Sequence, residues 1–234
     1  MSNARTAPQP SRLESQPLLH DHPTAWRIAS VLWLLAAFLF AALAIEPLRD
    51  VVDDVDETIF DITVTAEWAP AVGVAKFLDF VGSAWITIPV MVLVAVWLAS
   101  RKRWEAFATW IVAMAVSQLF IGPVKSLYER ARPPQSLVET SSWSFPSGHS
   151  VATAVIAISL VIVLVKAGPK RRNLEMLAAA GAVIMALSRV YLRAHWLSDV
   201  AAGAALGAGV AIGAATLIHR LDERRTRQEQ RAES

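Results

Sequence analysis

Residues 25–45 form an almost uninterrupted apolar stretch. At 1.5 Å of rise per residue, its roughly 20 residues make a helix long enough to cross a hydrocarbon layer of about 30 Å. A chain in lipid must satisfy its own backbone groups, so a segment of this kind commits the protein to a helical membrane architecture. Five further apolar runs, at about 84–98, 104–124, 151–165, 174–192 and 197–218, raise the expected number of transmembrane helices to six and predict an all-α bundle. The run at 84–98 is the shortest of them. The composition agrees: 55% of the 234 residues are hydrophobic, 18% are charged, and the mean hydropathy is +0.43. Ala42-Leu43-Ala44 has the small-residue pattern of a leader cleavage site, but the apolar run exceeds a usual leader core, which predicts an uncleaved anchor.

The segments between the runs divide the chain into a disordered tail (1–25), one membrane domain (26–220) and a basic tail (221–234). The first tail is rich in Pro, Ser and Gln and has too few large apolar groups to offset chain entropy; His20-Asp21-His22 within it reads as solvated rather than metal-binding. Between residues 48 and 82 stand Asp50, Asp53, Asp54, Asp56, Glu57, Asp61, Glu67 and Asp79, against Arg49 and Lys76, which places this stretch outside the membrane. Val51, Val52, Val55, Ile59 and Ile62 recur there at helical spacing and predict a short amphipathic helix in the first outer loop, its acidic face solvated and no histidine near to complete a metal site. Fifteen of the 22 Lys and Arg fall on the side of the two termini and seven on the other, so both termini are expected in the cytoplasm. A formal net charge of only +2 implies no nucleic-acid surface, and the absence of cysteine removes disulfides and thiol chemistry.

Five of the seven outward cations lie beside the residues that carry chemistry. Ser144-Phe145-Pro146-Ser147-Gly148-His149-Ser150 reads as a helix entry: Pro146 interrupts what precedes it, Ser147 is a good N-cap, and Gly148 leaves the first free N–H groups approachable. Such an end attracts phosphate, and His149 stands there as a group able to move a proton near neutral pH. Lys125 and Arg132 share a helix face if the third span continues to about Ala131 before Pro133-Pro134 ends it. Arg189 closes the fifth span. His195 and Asp199, four apart at the start of the sixth, pair on a helix, so that the carboxylate orients the ring and leaves its other nitrogen free to attack. Each feature also has a plain structural reading, as a cap, a snorkelling lysine or a buried ion pair. Together they describe a phosphoryl-transfer site in which three cations and backbone donors replace a metal ion.

Lys125-x6-Arg132-Pro133, Pro146-Ser147-Gly148-His149 and Ser188-Arg189-x5-His195-x3-Asp199 resemble the three signature motifs of the type 2 phosphatidic acid phosphatase superfamily. The resemblance implies six spans with the site on the outer face of the cell membrane. It implies His195 as nucleophile, Asp199 as its orienter, His149 as acid and base, and Lys125, Arg132, Ser147, Gly148 and Arg189 as phosphate ligands, without a cofactor. The implied partner is a lipid phosphate: phosphatidate, phosphatidylglycerol phosphate or undecaprenyl diphosphate. A lipid phosphotransferase would share these residues, a non-enzymatic lipid-binding protein would keep only the fold, and the soluble haloperoxidases of the superfamily lack the spans. Arg130 and Arg193 lie outside the motifs and are expected as headgroup contacts.

Overall fold

The computed structural model describes residues 22–166 and 168–232. Among them all regular structure is helical: α1 (His22–Ala44), α2 (Glu46–Thr65), α3 (Ala69–Gly82), α4 (Ala84–Ser100), α5 (Trp104–Tyr128), α6 (Gly148–Leu164), α7 (Pro169–Tyr191) and α8 (Leu197–Ala232). Of the expected tail 1–25, residues 1–21 lie outside the described residues, including His20 and Asp21, and the remainder opens α1. The basic segment from 221 continues α8 as a largely exposed helical extension.

The axis of the bundle is α8, against which α6, α1 and α5 pack. In lipid, helix association gains little from excluding water and depends on close contact, which is why the contact face of α8 is built from Ala and Gly. A Cβ on Gly207 would collide with the Val151 carbonyl, and one on Gly203 would lie 2.8 Å from that of Ser147. These glycines draw the N-terminus of α6 against the first turns of α8. Farther along α8, Gly209 and Gly213 seat the indole of Trp33 from α1. Leu98, Trp110, Val155 and Ala211 fill the centre, where the Trp110 indole donates to the Met91 carbonyl at 3.0 Å. Outward, Leu34, Phe38, Trp85, Leu93, Leu119 and Leu177 remain exposed, an apolar surface suited to bilayer and not to water.

By length and composition α1, α5, α7 and α8 can each cross a membrane, and α3 with α4, bent by 43° across Ser83, passes as a pair. The remaining apolar helix, α6, has 17 residues. The stretch 48–82 is thus not a single acidic loop. Its acidity is concentrated before Trp68, whereas α3 carries only Lys76 and Asp79 among apolar residues. The amphipathic helix of this stretch, α2, is 20 residues long and turned differently from the expected orientation. Val51, Val55 and Ile62 are exposed; Val52, Ile59, Thr63 and the carboxylate Asp56 face the bundle.

Candidate active site

The proposed site residues come together where four helix ends meet: the C-termini of α5 and α7 and the N-termini of α6 and α8. Ser147 caps α6 as expected, its hydroxyl oxygen accepting from the Ser150 N–H at 3.4 Å. Its own N–H donates to the Asp199 carbonyl at 3.1 Å, which ties the cap of one helix to the first turn of the other. The segment 129–147 then folds across this junction. Leu137 N–H donates to the Leu192 carbonyl at 3.0 Å and the Trp196 indole to the Ala131 carbonyl at 2.9 Å.

At the centre lie His195 and Asp199, 3% and 0% exposed. His195 sits just before α8 and not on its first turn, so helical stacking does not bring the pair together. Instead Asp199 Oδ2 accepts the Trp196 N–H at 2.9 Å, folding the preceding residue back so that His195 Nδ1 stands 3.5 Å from the same oxygen. Ser144 Oγ donates to Oδ2 as well and lies 3.4 Å from Nδ1. On the opposite side of the ring, Arg132 Nη1 approaches Nε2 at 3.1 Å. A guanidinium can only donate, so Nε2 is the acceptor and Nδ1 carries the hydrogen directed at Asp199. Burial pushes the His195 pKa down to about 4, with Asp199 opposing that fall and Arg132 and Arg189 adding to it. The ring is therefore neutral over most of the pH range, with its lone pair among cations.

Those cations are held by carbonyls and one carboxylate. Lys125 Nζ donates to the Trp143 carbonyl. Arg132 donates through Nε to the Ser142 carbonyl at 2.6 Å and through Nη1 to that of Ala194. Burial and the neighbouring Arg189 hold its pKa below the usual arginine value, against the pull of Asp199. Lys125 and Arg132 do not share a helix face: α5 ends at Tyr128, where Glu129 takes a left-handed conformation (φ 43°), and Arg132 reaches the site from irregular chain. Arg189 is 2% exposed and donates through Nη1 to Asp79 Oδ1. The same oxygen and the Asp79 carbonyl both lie 3.2 Å from His149 Nε2.

Neither arginine outside the motifs is placed for a headgroup. Arg130 donates to Asp199 Oδ1 (2.8 Å) and Ser198 Oγ (2.6 Å), and its other terminal nitrogen to Asp53 Oδ1 (2.6 Å) and Asp56 Oδ2 (2.8 Å). Burial opposes its charge, but Asp199 and Asp56 hold its pKa above the usual value. Asp56 also accepts from the Ser198 N–H at 2.9 Å. A bridge thus runs from α2 through Arg130 to the carboxylate beside His195; Asp56 and Asp199 in it are buried and Asp53 is half-exposed, and removing a buried member leaves the guanidinium less compensated. Arg193, 4% exposed, is engaged by Glu67 and, at 3.3 Å, by Gln135. Among the described residues no three His, Asp or Glu are grouped to hold a metal ion; the carboxylates that converge are neutralised by Arg130.

A family model described as the PAP2 superfamily matches residues 106–223, the part of the chain that contains every signature residue. Phosphatidylglycerophosphatase B of Bacillus subtilis is 31% identical over 180 residues, which cover 74% of this chain and 87% of that protein. An undecaprenyl-diphosphatase of Sulfolobus acidocaldarius is 30% identical over 146 residues, covering 59% of this chain and 66% of the relative. Among solved structures, a transmembrane PAP2-type phosphatidylglycerolphosphate phosphatase from Bacillus subtilis superposes with a TM-score of 0.71 at 28% identity, over 84% of this chain and 96% of that one.

Proposed function

Because the chain belongs to the PAP2 superfamily of membrane lipid phosphatases and is a phosphoric-ester hydrolase, we propose that it releases phosphate from a lipid phosphomonoester or diphosphate through a phosphohistidine on His195. The observation that carries this reading is the state of His195: Asp199 at Nδ1 and a cation donating to Nε2 leave a neutral ring whose lone pair lies where Lys125, Arg132 and Arg189 can gather a phosphate. Nε2 attacks phosphorus, and the bond to the lipid oxygen breaks as that oxygen takes a proton from His149. Water then gives its proton back to His149 and attacks the phosphohistidine; the P–N bond breaks, phosphate leaves and His195 is again neutral. Lys125, Arg132 and Arg189 exchange their present acceptors for phosphate oxygens, and the N–H groups at Ser147-Gly148 supply the rest of the charge stabilisation, so that no metal is required.

The names of the relatives support phosphatidylglycerol phosphate and undecaprenyl diphosphate as substrates, with phosphatidate of the same chemical class. Six spans follow if α1, the α3–α4 pair, α5, α6, α7 and α8 each cross, with α2 outside. The excess of Lys and Arg on the side of the termini then places both in the cytoplasm and the site on the outer face of the cell membrane.

The test is phosphate release from these three lipids by the purified protein in detergent. Activity is expected to persist in EDTA and to be inhibited by vanadate; loss on chelation, or transfer of the phosphoryl group to a second lipid without free phosphate, would overturn it. His149→Ala separates the steps. It should slow hydrolysis of a lipid alcohol ester by about 10²–10⁴-fold, and that of p-nitrophenyl phosphate much less, because a good leaving group departs without a proton. Equal losses on both substrates would remove His149 from the proton-donor role.

A further inference from the structure

Asp79 lies in none of the motifs, yet it contacts two of the residues to which this mechanism gives roles. Its carboxylate oxygen Oδ1 accepts from Arg189 Nη1 and stands 3.2 Å from His149 Nε2, and its backbone carbonyl is equally close to that nitrogen. The placement follows from how α3 ends. Ser83 N–H turns back to Phe80 O at 3.1 Å, a tightened last turn, and the Asp79 carbonyl, one of the last four of the helix, faces the ring. One turn on, a Cβ at Gly82 would meet His149 Cδ2 at 2.7 Å, so the missing side chain makes room for the imidazole beside the carboxylate. Arg189 Nε, meanwhile, is buried without a hydrogen-bond partner, although Nη1 of the same group is bound to Asp79. A lone carboxylate in a largely apolar helix is costly unless it has a partner, and here it has two.

We propose that Asp79 is a positioning residue with two linked duties: it orients the His149 ring and supplies the negative charge opposite the imidazolium when that ring carries the proton for the leaving oxygen, and in the free enzyme it occupies Arg189 until a phosphate displaces it. The proposal rests on His149 as proton donor and Arg189 as phosphate ligand. The charged groups acting on His149 are Arg189 from α7, Asp79 from α3 and Arg132 from the segment after α5. Burial and the two arginines disfavour the imidazolium, and Asp79 is the one neighbour that favours it. Anion binding and proton donation therefore pull in opposite directions through a single carboxylate: phosphate must compete with Asp79 for Arg189, while the proton that completes the reaction depends on its charge.

Asp79→Asn keeps the shape and removes the charge, and it should split the kinetic constants. Orthovanadate and inorganic phosphate should inhibit several-fold more tightly, because Arg189 is no longer bound to a carboxylate. For an alkyl phosphate, kcat should fall, and the basic limb of its pH profile should move by about one unit or more toward acid, the direction expected when an imidazolium loses a neighbouring negative charge. p-Nitrophenyl phosphate should show the tighter inhibition with little loss of kcat. Asp79→Glu, which keeps the charge, should restore the pH limb. Gly82→Ala reaches the same contact independently: displacing the ring should lower turnover of the alkyl ester relative to p-nitrophenyl phosphate and leave vanadate inhibition unchanged. Unaltered inhibition constants and an unmoved limb in Asp79→Asn would overturn the proposal, as would an unchanged substrate ratio in Gly82→Ala if the first variant does not fold. A wild-type protein that releases phosphate from none of the three lipids would instead overturn the phosphatase reading on which this rests.

Discussion

His195→Ala is expected to leave no measurable turnover with any leaving group and no acid-labile phosphoenzyme in rapid-quench labelling with ³²P substrate. By analogy with the loss of a nucleophile in a serine protease, the fall in kcat is on the order of 10⁶-fold. Nothing else at the site replaces it: Lys125, Arg132 and Arg189 are cations bound to acceptors, and His149 is engaged through Nε2 by Asp79. The wild-type pH profile carries the same signature. A buried ring with its pKa pushed down to about 4 stays unprotonated at neutral pH, so kcat/KM should hold as pH falls through 6.5 and decline only as it approaches 4. The consequence for stability has a definite sign. The unfolded chain takes up a proton near pH 6.5 that the folded ring resists until about 4, so stability contributed by the neutral buried ring is lost as pH falls through that window. His195→Ala should remove that part of the pH dependence of thermal unfolding. A labelled phosphoenzyme in this variant, with its absence in His149→Ala, would reverse the two assignments.

How much of the site could be read in advance depended on where each residue stood. Lys125, Arg132, Ser147-Gly148, His149, Arg189, His195 and Asp199 occupy or adjoin the ends of apolar runs, where a charged or capping residue is conspicuous and its chemistry follows from its type. Their partners were hidden for the opposite reason. Asp53 and Asp56 belong to a run in which nearly every carboxylate resembles a solvated one, and only the packing of α2 on α7 and α8 selects the two that meet Arg130. One signal was present. Val52, Asp56, Ile59 and Thr63 share a helix face as well as Val51, Val55 and Ile62 do, and the choice between the two faces depends on Arg130, a cation 74 residues beyond Asp56 in the sequence. Asp79 was more legible than it looked, being the only acid in the apolar sequence of α3. Ser144 gave no sign, because a serine before a cap has too many ordinary uses. The condition that α5 continue to about Ala131 is not met: Pro133-Pro134 offers an obvious stop, while the helix ends at Tyr128 with Glu129, a residue without any intrinsic preference for the left-handed conformation that it adopts.

Asp199→Asn should lower kcat by about 10⁴-fold while leaving the fold in place, by analogy with the same exchange in the serine-protease triad. The argument is one of donors and acceptors. Asp199 Oδ2 receives hydrogens from Ser144 Oγ and the Trp196 N–H and faces His195 Nδ1, whereas Oδ1 receives one from Arg130. An asparagine has a single acceptor oxygen. If that oxygen stays with Arg130, the amide NH₂ faces two donors and the Nδ1–H, and the ring relieves the conflict by moving its hydrogen to Nε2, the attacking atom of the proposed mechanism. If the oxygen turns to Nδ1 instead, the amide points its hydrogens at Arg130. The guanidinium survives this, since Asp53 and Asp56 still hold it, which is why folding tolerates the exchange better than catalysis does. The bridge adds a second arm to the test. Asp56→Asn leaves the atoms at His195 untouched but loosens Arg130, so it should reduce kcat far less, with KM for the lipid unchanged and with a loss of stability. Rapid-quench labelling should show slower formation of the phosphoenzyme in Asp199→Asn, because the attacking lone pair is missing. Retention of a tenth or more of wild-type turnover in that variant, with a lowered melting temperature, would show that Asp199 braces the helix junction and does not set the tautomer of His195.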